Sequence, residues 1–196
     1  IEEPLSLPLP IDIPGEIQGV KAEWEAFLQQ MPPIDTTASQ EQREFTILTW
    51  YNLWSSFVRA GDCYHYDTML MSKKFMSSVW SWDHCFNALA MAALGPDKAL
   101  EQFYAPFVIQ SPTGALPDMW NPNSEIVWGV TKPPIHGWCF GKLMDKFTFP
   151  PETLKRVYGY LEKWTNWWMV YRDSDHDGVP EYPMGNDSGW DNSTVF

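Results

Sequence analysis

Apolar residues recur at helical spacing through most of the chain, and prolines and glycines cut the pattern into about six segments. The first fifteen residues, IEEPLSLPLPIDIPG, alternate proline with aliphatics and read as an extended arm or linker covering 1–16. A first helix is expected from about Ile17 to Met31, closed by Pro32 and Pro33. A second begins near Ser39, where S-x-x-Q offers a capping box, and runs to about Ala60 before Gly61. The helical period returns in WDHCFNALAMAAL, DKALEQFYAPFVI, IHGWCFGKLMDKF and ETLKRVYGYLEKWTNWWMVY, and no stretch reads as a convincing pair of strands.

The loops differ in kind. Brief ones such as GPD at Gly95 to Asp97 suit hairpin partners, whereas Ser111 to Pro134 is long and rich in Trp, Asp, Asn and Pro. Long loops of that composition gather on one face and carry function. The rhythm predicts an all-α fold of αα-hairpins around a pit floored by polar loops, although no exact repeat is present.

Composition narrows the chemistry. The 196 residues are 44% hydrophobic, enough for a sizeable core and about one domain. Aromatics make up 16%, with twelve tryptophans, more than a core needs, so some of these rings are expected to line a cleft. A net charge of -12 argues against a nucleic-acid partner, and no apolar run is long enough for a membrane span. Cys63, Cys85 and Cys139 are an odd, widely spaced set that reads as buried thiols rather than a disulfide framework. Sequons at Asn186 and Asn192 fall inside GNDSGWDNS, where a glycan would smother the loop. With no signal-peptide pattern after Ile1, the reading leans intracellular, and a start without Met suggests a processed or excerpted chain.

Four constellations carry chemistry. In SVWSWDHCFNALAMA, Asp83 is either a helix N-cap or, beside Trp82 and one turn before Asn87, a carboxylate that reads sugar hydroxyls while indole stacks on the ring. The long loop brings Asp118, Trp120, Asn121, Trp128 and Lys132 ahead of Pro133 and Pro134, with a plain surface loop as the alternative; His136 reads as structural. In DSDHDGVPEY, Asp173, Asp175, Asp177 and Gly178 fit the opening of an EF-hand loop, but Met184 stands where a bidentate Glu belongs. A tight acidic turn is the favoured reading there, with calcium at those acids and Glu181 as the alternative, and no cofactor is required. In GNDSGWDNS, Gly185 and Gly189 break any regular helix, so Asp187 and Asp191 need not share a face. Asp191 either caps a following helix or serves as an acid, which would need an apolar wall such as Trp190 to raise its pKa.

WSWD, then LPDMWNPN with KPPIHGW, then GNDSGWDNS, in that order, resemble the (α/α)6-barrel glycoside hydrolases of family 63. That group includes processing α-glucosidase, bacterial α-glucosidases and mannosylglycerate hydrolase, with the family 37 trehalases more distant. The likeness spans about Trp50 to Ser193 and implies that 17–196 form the first half of a barrel of about twelve helices. It also implies that Asp191 is the general acid of an inverting, exo-acting α-glycosidase. Trp82, Asp83, Asn87, Gly189 and Trp190 would shape the glycone pocket, and Trp120, Asn121 and Lys132 would reach the substrate. Lys132 replaces a glutamine common in relatives, which bears on which sugar or aglycone is taken.

Inverting hydrolysis needs a second carboxylate roughly 6.5–9.5 Å from the first. The resemblance puts that general base downstream, so the implied partners are a carbohydrate and the remaining half of the catalytic domain. The favoured substrate is a small α-glucoside or oligosaccharide end. The alternatives are a mannosylglycerate-type or trehalase-like hydrolase, a carbohydrate-binding toroid without catalysis, and a half-barrel whose aromatic loops are only core and interface.

Overall fold

The computed structural model describes residues 12–61, 64–72, 74–123 and 125–191. Most of the expected N-terminal arm, Cys63 and the sequon at Asn192 lie outside the described residues. The chain divides into two compact units, Ile1–Trp54 and Ser55–Phe196.

In the first unit, α1 (Ile13–Gln30) begins within the stretch that the proline pattern assigned to an arm. The reason is local: Asp12 Oδ1 accepts the Gly15 N–H at 3.2 Å, and Pro14 sits in the first turn, where its missing N–H costs nothing. The helix stops before Pro32. Helix α2 (Gln40–Ser55) has the predicted capping box, with Gln42 N–H on Ser39 Oγ at 3.2 Å and Ser39 N–H on Gln42 Oε1 at 2.8 Å. Trp24, stacked on Phe27 of its own helix at 5.9 Å, ties the two helices together through Tyr51 and Trp54, with ring centroids 5.7 and 5.3 Å away.

Helix α2 does not reach Ala60. Its continuation leaves the helix to form β1 (Phe57–Val58), antiparallel to β2 (Thr68–Met69). A second sheet joins β3 (Val79–Trp80), β4 (Met119–Trp120) and β5 (Ile126–Val127) in that order, all antiparallel, with Val79 opposite Trp120 and Met119 opposite Val127. The absence of strand pairs expected from the sequence is thus corrected. Two-residue strands are too short for alternation to register, and their pairing is set by packing.

The rest of the second unit is helical. Helix α3 (Asp83–Met91) packs on α4 (Pro96–Tyr104) and α5 (His136–Met144), and α6 (Pro151–Tyr171) is the longest. Past Tyr104 the chain tightens into a 3-10 turn, Ala105–Ile109, because Pro106 cannot donate to an α-helical ladder. The core gathers Cys85, Ala88, Phe103, Phe107, Leu116, Cys139, Leu143, Val157, Trp164 and Trp168. Each large apolar side chain buried there contributes roughly 1.5–3 kcal/mol. The described fold is mostly helical, as the periodicity predicts.

Candidate active site

The WSWD segment turns from β3 into α3 and is fastened from two sides. His84 Nδ1 lies 2.9 Å from the Trp80 carbonyl and His136 Nε2 lies 2.9 Å from the Ser81 carbonyl. A carbonyl only accepts, so each of those ring nitrogens carries a proton. Both imidazoles are fully buried, and burial pushes each pKa down to about 4, which keeps them neutral. His136 is therefore a strut for the segment. Asp83 is the first residue of α3 and Trp82 its N-cap, and no side-chain cap hydrogen bond forms. Burial holds the Asp83 carboxyl above the ordinary carboxylate range, with Asp191 adding and Lys132 opposing.

Residues expected from the long loop part company. The Trp120 ring is buried beside Tyr64 at 5.8 Å, and its Nε1–H reaches the Ala105 carbonyl at 3.3 Å. It belongs to the small core under the three-stranded sheet, not to a surface that meets substrate. Asn121 closes its own turn: Oδ1 accepts the Asn123 N–H at 3.0 Å and Nδ2 donates to Glu125 Oε2 at 2.9 Å. Asn87 is buried with Nδ2 toward the Met69 carbonyl at 3.4 Å, so it braces β2 rather than a sugar pocket.

Asp118 emerges in their place. Its backbone extends the sheet, accepting from Ser81 N–H at 2.9 Å and donating to the Val127 carbonyl at 2.8 Å. The residue is 8% exposed, and Oδ1 is buried with no hydrogen-bond partner among the described residues. Burial raises its carboxyl to about 6, Lys132 opposing and Asp83, Asp191 and Asp187 adding. The sequence offered only a weak signal, an acid inside an aromatic loop.

The loop containing GNDSGWD folds onto both segments. Gly185–Ser188 form a 3-10 turn, and Asp187, fully buried, accepts the Thr131 N–H at 2.9 Å while Arg172 Nη2 stands 3.8 Å from its other oxygen. Asp187 thus pins the loop beside KPP. Gly189 has φ +76°, and a Cβ there would come within 2.5 Å of Trp82 Cη2, so glycine permits both the bend and the indole contact. Buried Lys132 sends its ammonium to the Asn186 carbonyl at 2.8 Å and to Asp191 Oδ1 at 2.9 Å. The expected apolar wall is not built among the described residues: Trp190 is 66% exposed, and the Asp191 side chain, 61% exposed, finds its partner in Lys132.

Three segments far apart in sequence therefore converge: Asp191 pairs with the Lys132 ammonium, Asp83 and Asp118 lie within its electrostatic reach, and Asp187 adds its charge beside Asp118. Trp82 contacts Phe86 edge-on at 6.0 Å, and Phe86 lies 6.2 Å from Trp138, which extends the aromatic surface along α3 and α5. Carboxylates and an ammonium of this kind can exchange hydrogen bonds with hydroxyls, an exposed indole can stack on an apolar ring face, and burial holds the Asp118 proton to higher pH than an ordinary carboxyl.

Carboxylates and indoles set in the loops of a mostly helical fold are the equipment of a glycoside hydrolase. Residues 76–196 match the mannosylglycerate hydrolase MGH1-like glycoside hydrolase domain, and the chain belongs to that family. It is also similar to the glucosylglycerate hydrolase of Mycolicibacterium hassiacum, at 23% identity over 59% of this chain and 33% of the relative. The chain thus spans about a third of the length of that relative.

Proposed function

We propose that this chain supplies the acid-bearing part of an exo-acting, inverting α-glycosidase with α-glucosidase specificity, built on an (α/α)6 barrel completed by sequence beyond it. Asp191 is the general acid. Asp83 and Trp82 hold the glycone, Gly189 and Trp190 shape the loop over it, and Lys132 orients the Asp191 carboxylate. The observation that carries the reading is the junction of GNDSGWD with both other segments, through Gly189 on Trp82 and Lys132 on Asp191. The general base is a second carboxylate contributed from elsewhere in the protein, across room for one water.

Asp118 adds a carboxyl whose pKa burial raises to about 6, behind the Asp83 and Asp191 carboxylates whose charges raise it further. Glucosylglycerate, the compound named for the M. hassiacum relative, belongs to the proposed substrate class and is the first to assay beside a neutral α-glucoside. The same cluster also suits a carbohydrate-binding toroid without catalysis, a reading favoured by the ion pair that occupies Asp191.

One variant separates the two. Asp191→Asn in the full-length protein keeps shape and removes the proton, so turnover of an α-glucoside with a poor leaving group should fall by roughly a hundredfold or more. A parent protein that binds glucosides and never hydrolyses them would instead select the binding toroid.

A further inference from the structure

We infer that Asp118 is a second seat for the Lys132 ammonium, a positioning residue whose carboxylate draws that ammonium off Asp191 and so, on the reading of Asp191 as general acid, frees it to carry a proton. A general acid has a proton to give. Asp191 instead accepts an N–H of Lys132, with Nζ 2.9 Å from Oδ1. During turnover the ammonium therefore needs another place to go.

Asp118 offers that place. The pairing of Val79 with Trp120 and of Trp80 with Met119 continues to Ser81, whose N–H reaches the Asp118 carbonyl at 2.9 Å, so Asp118 lies against the WSWD turn. The residue is more than nine-tenths buried, and Oδ1 has no hydrogen-bond partner among the described residues. Native folds seldom leave such an oxygen unsatisfied, and an ammonium would satisfy it. Lys132 is buried as well and within electrostatic reach of Asp118. It gives one N–H to the Asn186 carbonyl at 2.8 Å and one to Asp191, and a lysine has a third to offer. The flexible four-carbon stem carries the ammonium between neighbours by torsions alone.

The surrounding charges favour the move. Asp83 at the start of α3, with Asp187 and Asp191 of the GNDSGWD loop, faces Asp118 with negative charge, and Lys132 opposes them. Asp187 is already held by the Thr131 N–H and faces Arg172, while His84 and His136 at the same turn are neutral. With the ammonium on Asp191, burial keeps the Asp118 proton in place up to about pH 6. When the ammonium crosses, the O–H bond of Asp118 breaks and its proton goes to water, and Asp191 takes one proton from water. The summed charge of the three groups is the same before and after.

The test uses the full-length protein and reads the Asp118 carboxyl directly, by carbon-13 NMR titration of aspartate-labelled protein, with Asp118→Asn as the assignment control. Asp191→Asn deprives the ammonium of its present seat, so the Asp118 midpoint should fall by about one pH unit or more. A crystal structure of that variant should place Lys132 Nζ within about 3.2 Å of Asp118 Oδ1. In a Lys132→Gln background the same substitution should move the midpoint by roughly half as much or less, because only repulsion between carboxylates is left. Equal movements with and without Lys132, or an ammonium that stays off Asp118 in the Asp191→Asn crystal, would overturn the inference. In turnover, Asp118→Asn leaves the ammonium on Asp191, so kcat/KM should fall about tenfold on the alkaline side of its pH profile and change little on the acid side. A loss of one size at every pH would mark a merely structural residue and overturn it too. If the NMR and crystal results hold while Asp191→Asn slows good and poor leaving groups alike, the second seat stands and the reading of Asp191 as general acid falls.

Discussion

Asp118 carries the most displaced carboxyl of the site, about 6 against an ordinary 3.8, with burial as the leading cause. A carboxyl whose folded pKa is raised binds its proton more tightly folded than unfolded, so its contribution to stability is largest below about pH 4. That contribution is lost as pH rises through about 6. The difference is on the order of 2–3 kcal/mol. Asp118→Asn should therefore match the parent in stability near pH 4 and exceed it near pH 7, as read from denaturant melts at the two values. A constant offset between the curves would remove Asp118 from the account. Residue type was only a partial guide at this scale. Trp120, Asn121 and Asn87 are as plausible as sugar contacts as Trp82 and Asp83 are, and what separates them is which face of β4, its turn or α3 each occupies. Asp187 and Asp191 lie in one loop, yet a single buried N–H partner makes the first a structural pin.

At the scale of elements, caps and prolines were legible because their signals are local. Ser39 with Gln42 set the start of α2, and Pro32 follows the end of α1. The early start of α1 and the short β1 to β5 were not, since one depends on Asp12 prevailing over a proline-rich pattern and the others on partners tens of residues away. The same long-range dependence governs how the GNDSGWD turn meets the N-terminus of α3. Gly189→Ala should cost roughly 1–2 kcal/mol for left-handed backbone alone, with a further loss from the clash with Trp82. A double-mutant cycle with Trp82→Ala checks this: the clash portion should vanish and the backbone portion remain. Additive effects would place the indole away from the turn in the full-length protein.

At the scale of the whole molecule, the chain carries a family match over 76–196 and spans about a third of the M. hassiacum relative. Phe86 is 49% exposed and Trp138 50%, side by side next to Trp82. The proposed (α/α)6 barrel, if it covers this surface, predicts that Phe86→Ala destabilises the full-length protein by about 3–5 kcal/mol, the cost of truncating a core phenylalanine. An exposed ring would cost within about 0.5 kcal/mol. The central claim is that Asp191 delivers the proton to the departing oxygen. Its most direct test is the leaving-group dependence of kcat/KM for Asp191→Asn in the full-length protein. Against a parent curve, the loss should be roughly a hundredfold or more for an aglycone that needs protonation, and small for one that departs unaided, such as fluoride. Equal losses for both classes would contradict the assignment and make Asp191 a binding residue.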